Sequence, residues 1–201
     1  MARPLRVAFL HPDLGLGGAE RLVVDAAVAL ARRGHHVVMH TSHYEPRRSF
    51  AETRDGTFEV RVAGDWLPRH VLGRFHIVFA ILRALWLAVV VALGAERYDV
   101  FVCDQVSAYV PVLRWLAPRG SGVLFYCHFP DRLLSARGGW LKALYRAPFD
   151  AWEEWSTGRA HAVVVNSGFT QAVFAATFRS LAALKPEVLY PCIDVGGAGA
   201  A

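Results

Sequence analysis

Two stretches of the sequence place chemically capable residue types where a fold would expose them. Residues 12–20 read Pro-Asp-Leu-Gly-Leu-Gly-Gly-Ala-Glu, a glycine-rich turn. Its Gly17-Gly18 pair removes two side chains where a ligand's oxygens could approach the backbone. Such a turn, opening a helix, points backbone N–H groups and a positive helix end at one spot, the natural place for a phosphate. The second stretch ends at His128, which follows the apolar run of residues 122–127. An imidazole emerging there can donate a hydrogen bond or set positive charge against charge that develops in a reaction. Asp131, three residues on, is the candidate to orient His128 or an acceptor hydroxyl. Asn166 and Ser167 end another apolar run and read either as ligands of substrate or phosphate or as turn formers. His11 and Asp104 also close apolar runs, and His11 reads as structural.

The elements that must position these residues alternate in type. Residues 5–11 form an apolar strand. Residues 21–33 carry Leu22, Val23, Ala26, Ala29 and Leu30 at helical spacing, and Gly34 stops the pattern. Further strands are expected at 35–42, 58–64, 98–104, 122–128, 162–167 and 188–191. The second of these alternates apolar and charged residues, as a half-exposed edge strand does. Helices are expected at 74–95, 108–116, 140–155, where Pro148 kinks or splits the helix, and 169–178. Apolar strands alternating with helices argue for an α/β domain with a Rossmann-like, doubly wound, mostly parallel sheet. Ligands of such sheets gather at the carboxyl ends of the strands, where His11, Gly17, Gly18, Asp104, His128, Asn166 and Ser167 fall.

The 201 residues suffice for one such domain. A net charge of +5 suits an anionic partner. The arginines are dispersed rather than blocked, so no nucleic-acid partner is expected. Cys103, Cys127 and Cys192 are odd in number and lack a C-x-x-C pair, which excludes a disulfide framework or zinc site. The single asparagine is followed by Ser-Gly, so no N-glycosylation acceptor exists. The chain passes straight from Met-Ala-Arg-Pro into its first strand, leaving no room for a signal peptide. A nicotinamide-type dinucleotide site fits poorly: Glu20 stands at the third glycine position, and Thr41-Ser42 replace the acid that would close on a ribose.

The order of four motifs resembles retaining family 4 glycosyltransferases, which pair two Rossmann-like domains in the GT-B architecture. Gly17-Gly18-Ala19-Glu20-Arg21 is similar to the family's N-terminal turn. Tyr126-Cys127-His128-Phe129-Pro130-Asp131 is similar to its strand-end histidine and proline loop. Val165-Asn166-Ser167-Gly168-Phe169-Thr170 resembles its N-S-x-F-T turn. Val188-Leu189-Tyr190-Pro191-Cys192-Ile193-Asp194 resembles the segment leading into the second domain. The Cys-His-Phe-Pro-Asp form with a long apolar helix is most similar to members that transfer mannose from GDP-mannose to a dolichyl-diphosphate oligosaccharide in N-glycan precursor synthesis. The resemblance implies metal-independent transfer without a cofactor and with retention at the anomeric carbon, His128 near the reacting centre. It also implies residence on the cytosolic face of the endoplasmic reticulum membrane and a complex with other mannosyltransferases of the pathway.

Residues 1–194 therefore read as the N-terminal, acceptor-side domain and 195–201 as a low-complexity tail. The donor-binding domain is absent from the sequence, and the isolated chain is expected to be inactive. Residues 77–93 are apolar apart from Arg83. A span needs about twenty apolar residues, and a central arginine costs roughly 2.5–3.5 kcal/mol on insertion, a cost that snorkelling would lower. The helix at 75–95 is read as embedded in the membrane surface from the cytosolic side, with a core helix as the alternative. Trp140, Lys142, Arg146, Trp152 and Trp155 form either a second interfacial surface or core plus rim. The alternatives in function are a truncated, non-catalytic membrane-binding module and a Rossmann oxidoreductase. The main reading requires the glycine corner and His128 to overlook one crevice.

Overall fold

The computed structural model describes residues 3–71, 73–134 and 140–191. The tail, Cys192 and Asp194 lie outside the described residues. Seven parallel strands form one sheet: β1 (Arg6–His11), β2 (His36–Thr41), β3 (Glu59–Val62), β4 (Val100–Asp104), β5 (Gly122–Cys127), β6 (Ala162–Val165) and β7 (Glu187–Val188). Their spatial order is β3-β2-β1-β4-β5-β6-β7. The chain winds outward in one direction from β1 and then, from β4, in the other. The reversal lies between β1 and β4, the place where doubly wound sheets open a crevice beyond their carboxyl ends.

The helices are α1 (Gly18–Arg32), α2 (His76–Leu93), α3 (Tyr109–Leu116), α4 (Asp131–Leu134), α5 (Trp140–Thr157) and α6 (Gly168–Thr177). One face of the sheet packs Val7, Phe9, Val37 and Met39 against Val23, Val24, Ala27 and Val28 of α1. The other buries Ala8, Leu10, Phe101, Val123 and Val163 under α2, α3 and α6. The central strands bury both faces, so they read as unbroken apolar runs.

Three expectations change. Helix α1 begins at Gly18, three residues early, and its buried face is Val23, Val24, Ala27 and Val28, so Val23 alone of the expected series is fully buried while Ala26 and Leu30 pack at its edge. Helix α5 runs through Pro148 without splitting. Leu144, whose carbonyl loses its partner to that proline, is 67% exposed and so can turn to water. Arg83 does not snorkel. It is buried, donates to Ser42 O (2.8 Å) and to Leu67 O, and stands 3.6 Å from Asp65. It lies on the same side of α2 as Ala84, Leu87, Ala88 and Val91, which pack on the sheet. The opposite side stays open, with Leu82, Trp86, Val90 and Leu93 exposed by 44, 42, 40 and 67%. Helix α2 has a mean hydropathy of 2.4, yet only a third of it is buried. It is a core helix on one side and a bare apolar surface on the other.

Candidate functional site

The reversal of strand order brings three strand ends together. β1 ends at His11, β4 at Asp104, and His128 follows β5. Leu10 pairs with Cys103, and Asp104 with Tyr126, so these ends are level across the sheet. The Asp104 carboxylate lies between the two imidazoles. His11 Nδ1–H donates to Oδ2 at 2.8 Å, and His128 Nε2–H donates to Oδ1 at 2.9 Å. An ionised carboxylate only accepts, so both facing nitrogens carry hydrogen. His11 and Asp104 are fully buried, and His128 is partly exposed.

Burial alone would push the Asp104 carboxyl up. The two hydrogen bonds outweigh it and hold the group below the ordinary carboxylate range. Burial likewise opposes a charged His11, but the bond to Asp104 and the nearby Glu20 raise its pKa to about 9. Glu20 Oε1 stands 4.0 Å from His11 Nε2, a nitrogen that is buried without a hydrogen-bond partner among the described residues. His11 in turn holds the Glu20 carboxyl low. The resulting line is Glu20, His11, Asp104, His128, with the negative charges interleaved by an imidazolium.

This line joins the glycine corner to His128. Gly17 caps α1 with extended backbone. A Cβ at Gly17 would lie 2.2 Å from Glu20 Oε2, whereas one at Gly18 meets nothing within 4 Å. The space freed at Gly17 is thus used by the protein's own Glu20, and only Gly18 is open to a ligand. Ala19 and His128 line the same groove of about 770 Å³. Its polar wall carries Gln105, Asp131, Arg146 and Glu153, and its apolar wall comes from α2 and α5. Gln105 has φ +62° directly after Asp104, a left-handed conformation that costs a non-glycine residue of order 1–3 kcal/mol and often marks a functional site. The Glu153 carboxyl is pushed up to about 7, first by burial. It accepts the backbone N–H groups of Asp131 (2.7 Å) and Arg132 (3.1 Å).

Asp131 does not orient His128. Its carboxylate is exposed and takes Arg146 Nη2 at 2.8 Å. Asp131 begins α4 and faces α5, while Asp104 sits level with the end of β5. Asn166 and Ser167 lie beside His128 but bond one another. Ser167 caps α6 by accepting Thr170 N–H (3.1 Å), and Ser167 and Thr170 hydroxyls donate to Asn166 Oδ1 at 3.1 and 2.6 Å. The Thr170 hydroxyl also reaches His128 O at 3.5 Å. Sequence reasoning placed Asp104 among the strand-end candidates without giving it a partner, read Glu20 as a missing glycine and as part of the family-like turn, and passed over Glu153. A carboxylate that ends a run buried on both faces must find donors, and that was the available signal for Asp104. On α5, Trp152 and Trp155 pack 5.0 Å apart at the helix's inner end, while Trp140 is exposed and Arg146 is held by Asp131 and Asp150. The Lys142 side chain lies outside the description. Among the described residues no group of three or more His, Cys, Asp or Glu is placed to hold a metal ion.

Comparison with known proteins places this geometry. The model of Glycosyltransferase Family 4 matches residues 16–196. The α-1,3/1,6-mannosyltransferase ALG2 of Rhizomucor pusillus is 52% identical over 194 residues, 96% of this chain and 42% of that protein. The human protein of the same name is 56% identical over 192 residues, 94% of this chain and 45% of its own length. The chain therefore spans about two fifths of the length of the curated relatives it matches. Among solved structures, the catalytic domain of Arabidopsis thaliana starch synthase IV aligns with TM-score 0.62 at 15% identity, covering 96% of this chain and 53% of that one. WaaG, a glycosyltransferase of lipopolysaccharide biosynthesis, aligns with TM-score 0.54 at 17% identity, covering 86 and 42%. These two establish a shared fold, that of glycosyltransferase N-terminal domains.

Proposed function

This chain belongs to glycosyltransferase family 4, and on that premise we propose that it is the acceptor-side part of a mannosyltransferase of N-glycan precursor synthesis. The donor is GDP-mannose and the acceptor a dolichyl-diphosphate oligosaccharide. The single observation that carries the reading is His128 at the rim of the groove, anchored to Asp104 at the point where strand order reverses. In this reading the acceptor enters the groove, and His128 hydrogen-bonds the sugar at the transfer point. The first N–H groups of α1 face a phosphate beside Gly18, where a helix start favours an anion. Identity above 50% to two mannosyltransferases supports the sugar.

Residues 1–201 alone do not complete a transfer, because they match only about two fifths of the relatives' length. The bare apolar side of α2 supports attachment to the cytosolic face of the endoplasmic reticulum membrane. A helix that crossed the bilayer would have to take Arg83 from its carbonyl partners, so α2 lies in the surface rather than spanning it. A second reading, a non-catalytic membrane-binding module, draws on the same face of α2 but leaves the buried line of charges without a use.

The test is a hybrid in which the matching segment of the Rhizomucor pusillus relative is replaced by this chain's residues 1–194. The hybrid should transfer mannose from GDP-mannose to a dolichyl-diphosphate acceptor, and the isolated chain should not. A folded hybrid without transfer, or clear turnover by the isolated chain, would overturn the proposal.

A further inference from the structure

The groove's imidazole has one nitrogen committed and one free. His128 Nε2–H is bonded to Asp104, while Nδ1 carries no hydrogen bond among the described residues. His128 lines the groove, so its Nδ1 edge is the one left for a ligand. Asp104 is itself held. Its other oxygen takes His11 Nδ1–H at 2.8 Å, and its backbone leads into the left-handed Gln105, with Val106 N–H returning to Asp104 O at 2.7 Å. His11 cannot turn away either. It is fully buried, and its far nitrogen faces Glu20 across 4.0 Å. Burying a carboxylate is costly unless it is paired and hydrogen-bonded, and Asp104 has both imidazoles.

We propose that Asp104 is a positioning residue for His128: it fixes the Nε2–H tautomer, so that the bare Nδ1 lone pair is presented to the substrate, and His11 backs it from behind. With Nε2–H held by Asp104, the Nδ1 edge of His128 then meets the substrate as an acceptor, taking a hydrogen bond from a sugar hydroxyl. The inference rests on the reading of the groove as a glycosyl-transfer site, yet its geometry is independent of which sugar is moved.

The distinguishing chemistry is that a carboxylate accepts from both histidines, whereas an amide cannot. In Asp104→Asn, the side-chain oxygen accepts from one imidazole and the NH₂ must donate to the other. One of the two rings has to give up the hydrogen on its facing nitrogen: His11 by losing its Nδ1 proton, or His128 by moving its hydrogen from Nε2 to Nδ1. Nitrogen-15 NMR of the histidines in the intact 201-residue chain reads this directly. The wild-type chain should show His128 in the Nε2–H form, its Nδ1 carrying the shift of an unprotonated nitrogen. In Asp104→Asn the facing nitrogen of either His11 (Nδ1) or His128 (Nε2) should lose its hydrogen, a spectral change that lost packing alone would not produce.

The wild-type spectrum decides the matter even where the variant fails to fold. His128 in the Nδ1–H form, or averaging between tautomers in a folded chain, overturns the proposal. Facing nitrogens that both keep their hydrogens in folded Asp104→Asn overturn it as well. In the hybrid enzyme, Asp104→Asn should lower kcat at least tenfold with little change in KM. A folded chain with the expected tautomers beside a hybrid without transfer would instead count against the assigned reaction and leave the positioning intact.

Discussion

Raising the pH from about 6.5 to 9 should remove close to 3 kcal/mol of stability through His11. In the unfolded chain an imidazole titrates near its ordinary 6.5, and in the fold His11 does so at about 9. Burial alone would have lowered that value. Asp104 at 2.8 Å and Glu20 at 4.0 Å reverse the sign. The folded state therefore binds the proton more tightly than the unfolded one. The stabilisation is fully present below pH 6.5 and disappears as pH rises through 9. At about 1.4 kcal/mol for each tenfold difference in proton affinity, the window is worth about 3 kcal/mol. Glu153, raised to about 7, also favours the folded state's proton, but it acts mainly on the acid side of this window. His40, lowered to about 4 by burial first, acts below pH 6.5 with the opposite sign. Urea unfolding followed by circular dichroism gives the test. With a slope of about 2 kcal/mol per molar, the midpoint should fall by roughly 1–1.5 M between the two ends of the window. His11→Gln removes the titrating group while keeping a donor toward Asp104. The gap between wild type and His11→Gln should then shrink by about 3 kcal/mol across the window. A gap that stays constant from pH 6.5 to 9 would refute the charged, buried His11.

Other perturbations separate the remaining parts of the structure. Gly17→Ala should cost about 1–2 kcal/mol in chemical denaturation, because its methyl group displaces the Glu20 carboxylate from beside His11. Gly18→Ala, with open space around it, should leave the midpoint unchanged or slightly raised; the reverse ranking would contradict the assigned corner. Arg83→Leu makes α2 more apolar yet should destabilise the chain by about 2–4 kcal/mol, since two carbonyls lose their donor. An unchanged melting temperature would mean that Arg83 does not hold α2 to the loop ends. Leu82→Glu with Val90→Glu should change stability by less than about 1 kcal/mol while abolishing co-sedimentation with anionic phospholipid vesicles. A wild-type chain that stays in the supernatant would remove the membrane from the account.

Much of the frame was legible because parallel strands covered on both faces must be apolar throughout. Residues such as Phe101, Cys103, Phe125 and Val165 announce their strands without ambiguity. The inner face of α1 was harder. Leu22, Val23, Val24, Ala26, Ala27 and Val28 are all apolar, so the helical period fits two registers, and the early start at Gly18 belongs to the fold. The same holds for Arg83. A charge in an apolar run looks like a cost to be relieved in lipid, until the loops ending at Ser42 and Leu67 supply its acceptors.

At the site, His128 was legible from its place after a buried run, but its partner was not. Asp131 is near in sequence but bonds Arg146, while Asp104 is 24 residues away and adjacent across the sheet. Strand order and register created that neighbour, and no local pattern encodes either. Glu20 shows the same limit. It broke a glycine pattern that belongs to another class of site, and its use became visible only once α1 had turned it back over Gly17 toward His11.

The most direct test of the central claim is a paired measurement of turnover and melting temperature for His128→Ala in the hybrid enzyme. His128 is partly exposed and makes one bond to Asp104, which keeps His11 as its counterion. Turnover should fall by about 100-fold or more, the usual scale for losing a group that acts in the transition state, while the melting temperature moves by only a few degrees. Turnover that survives the substitution, or that falls only in step with a large loss of folded protein, would contradict the role given to His128.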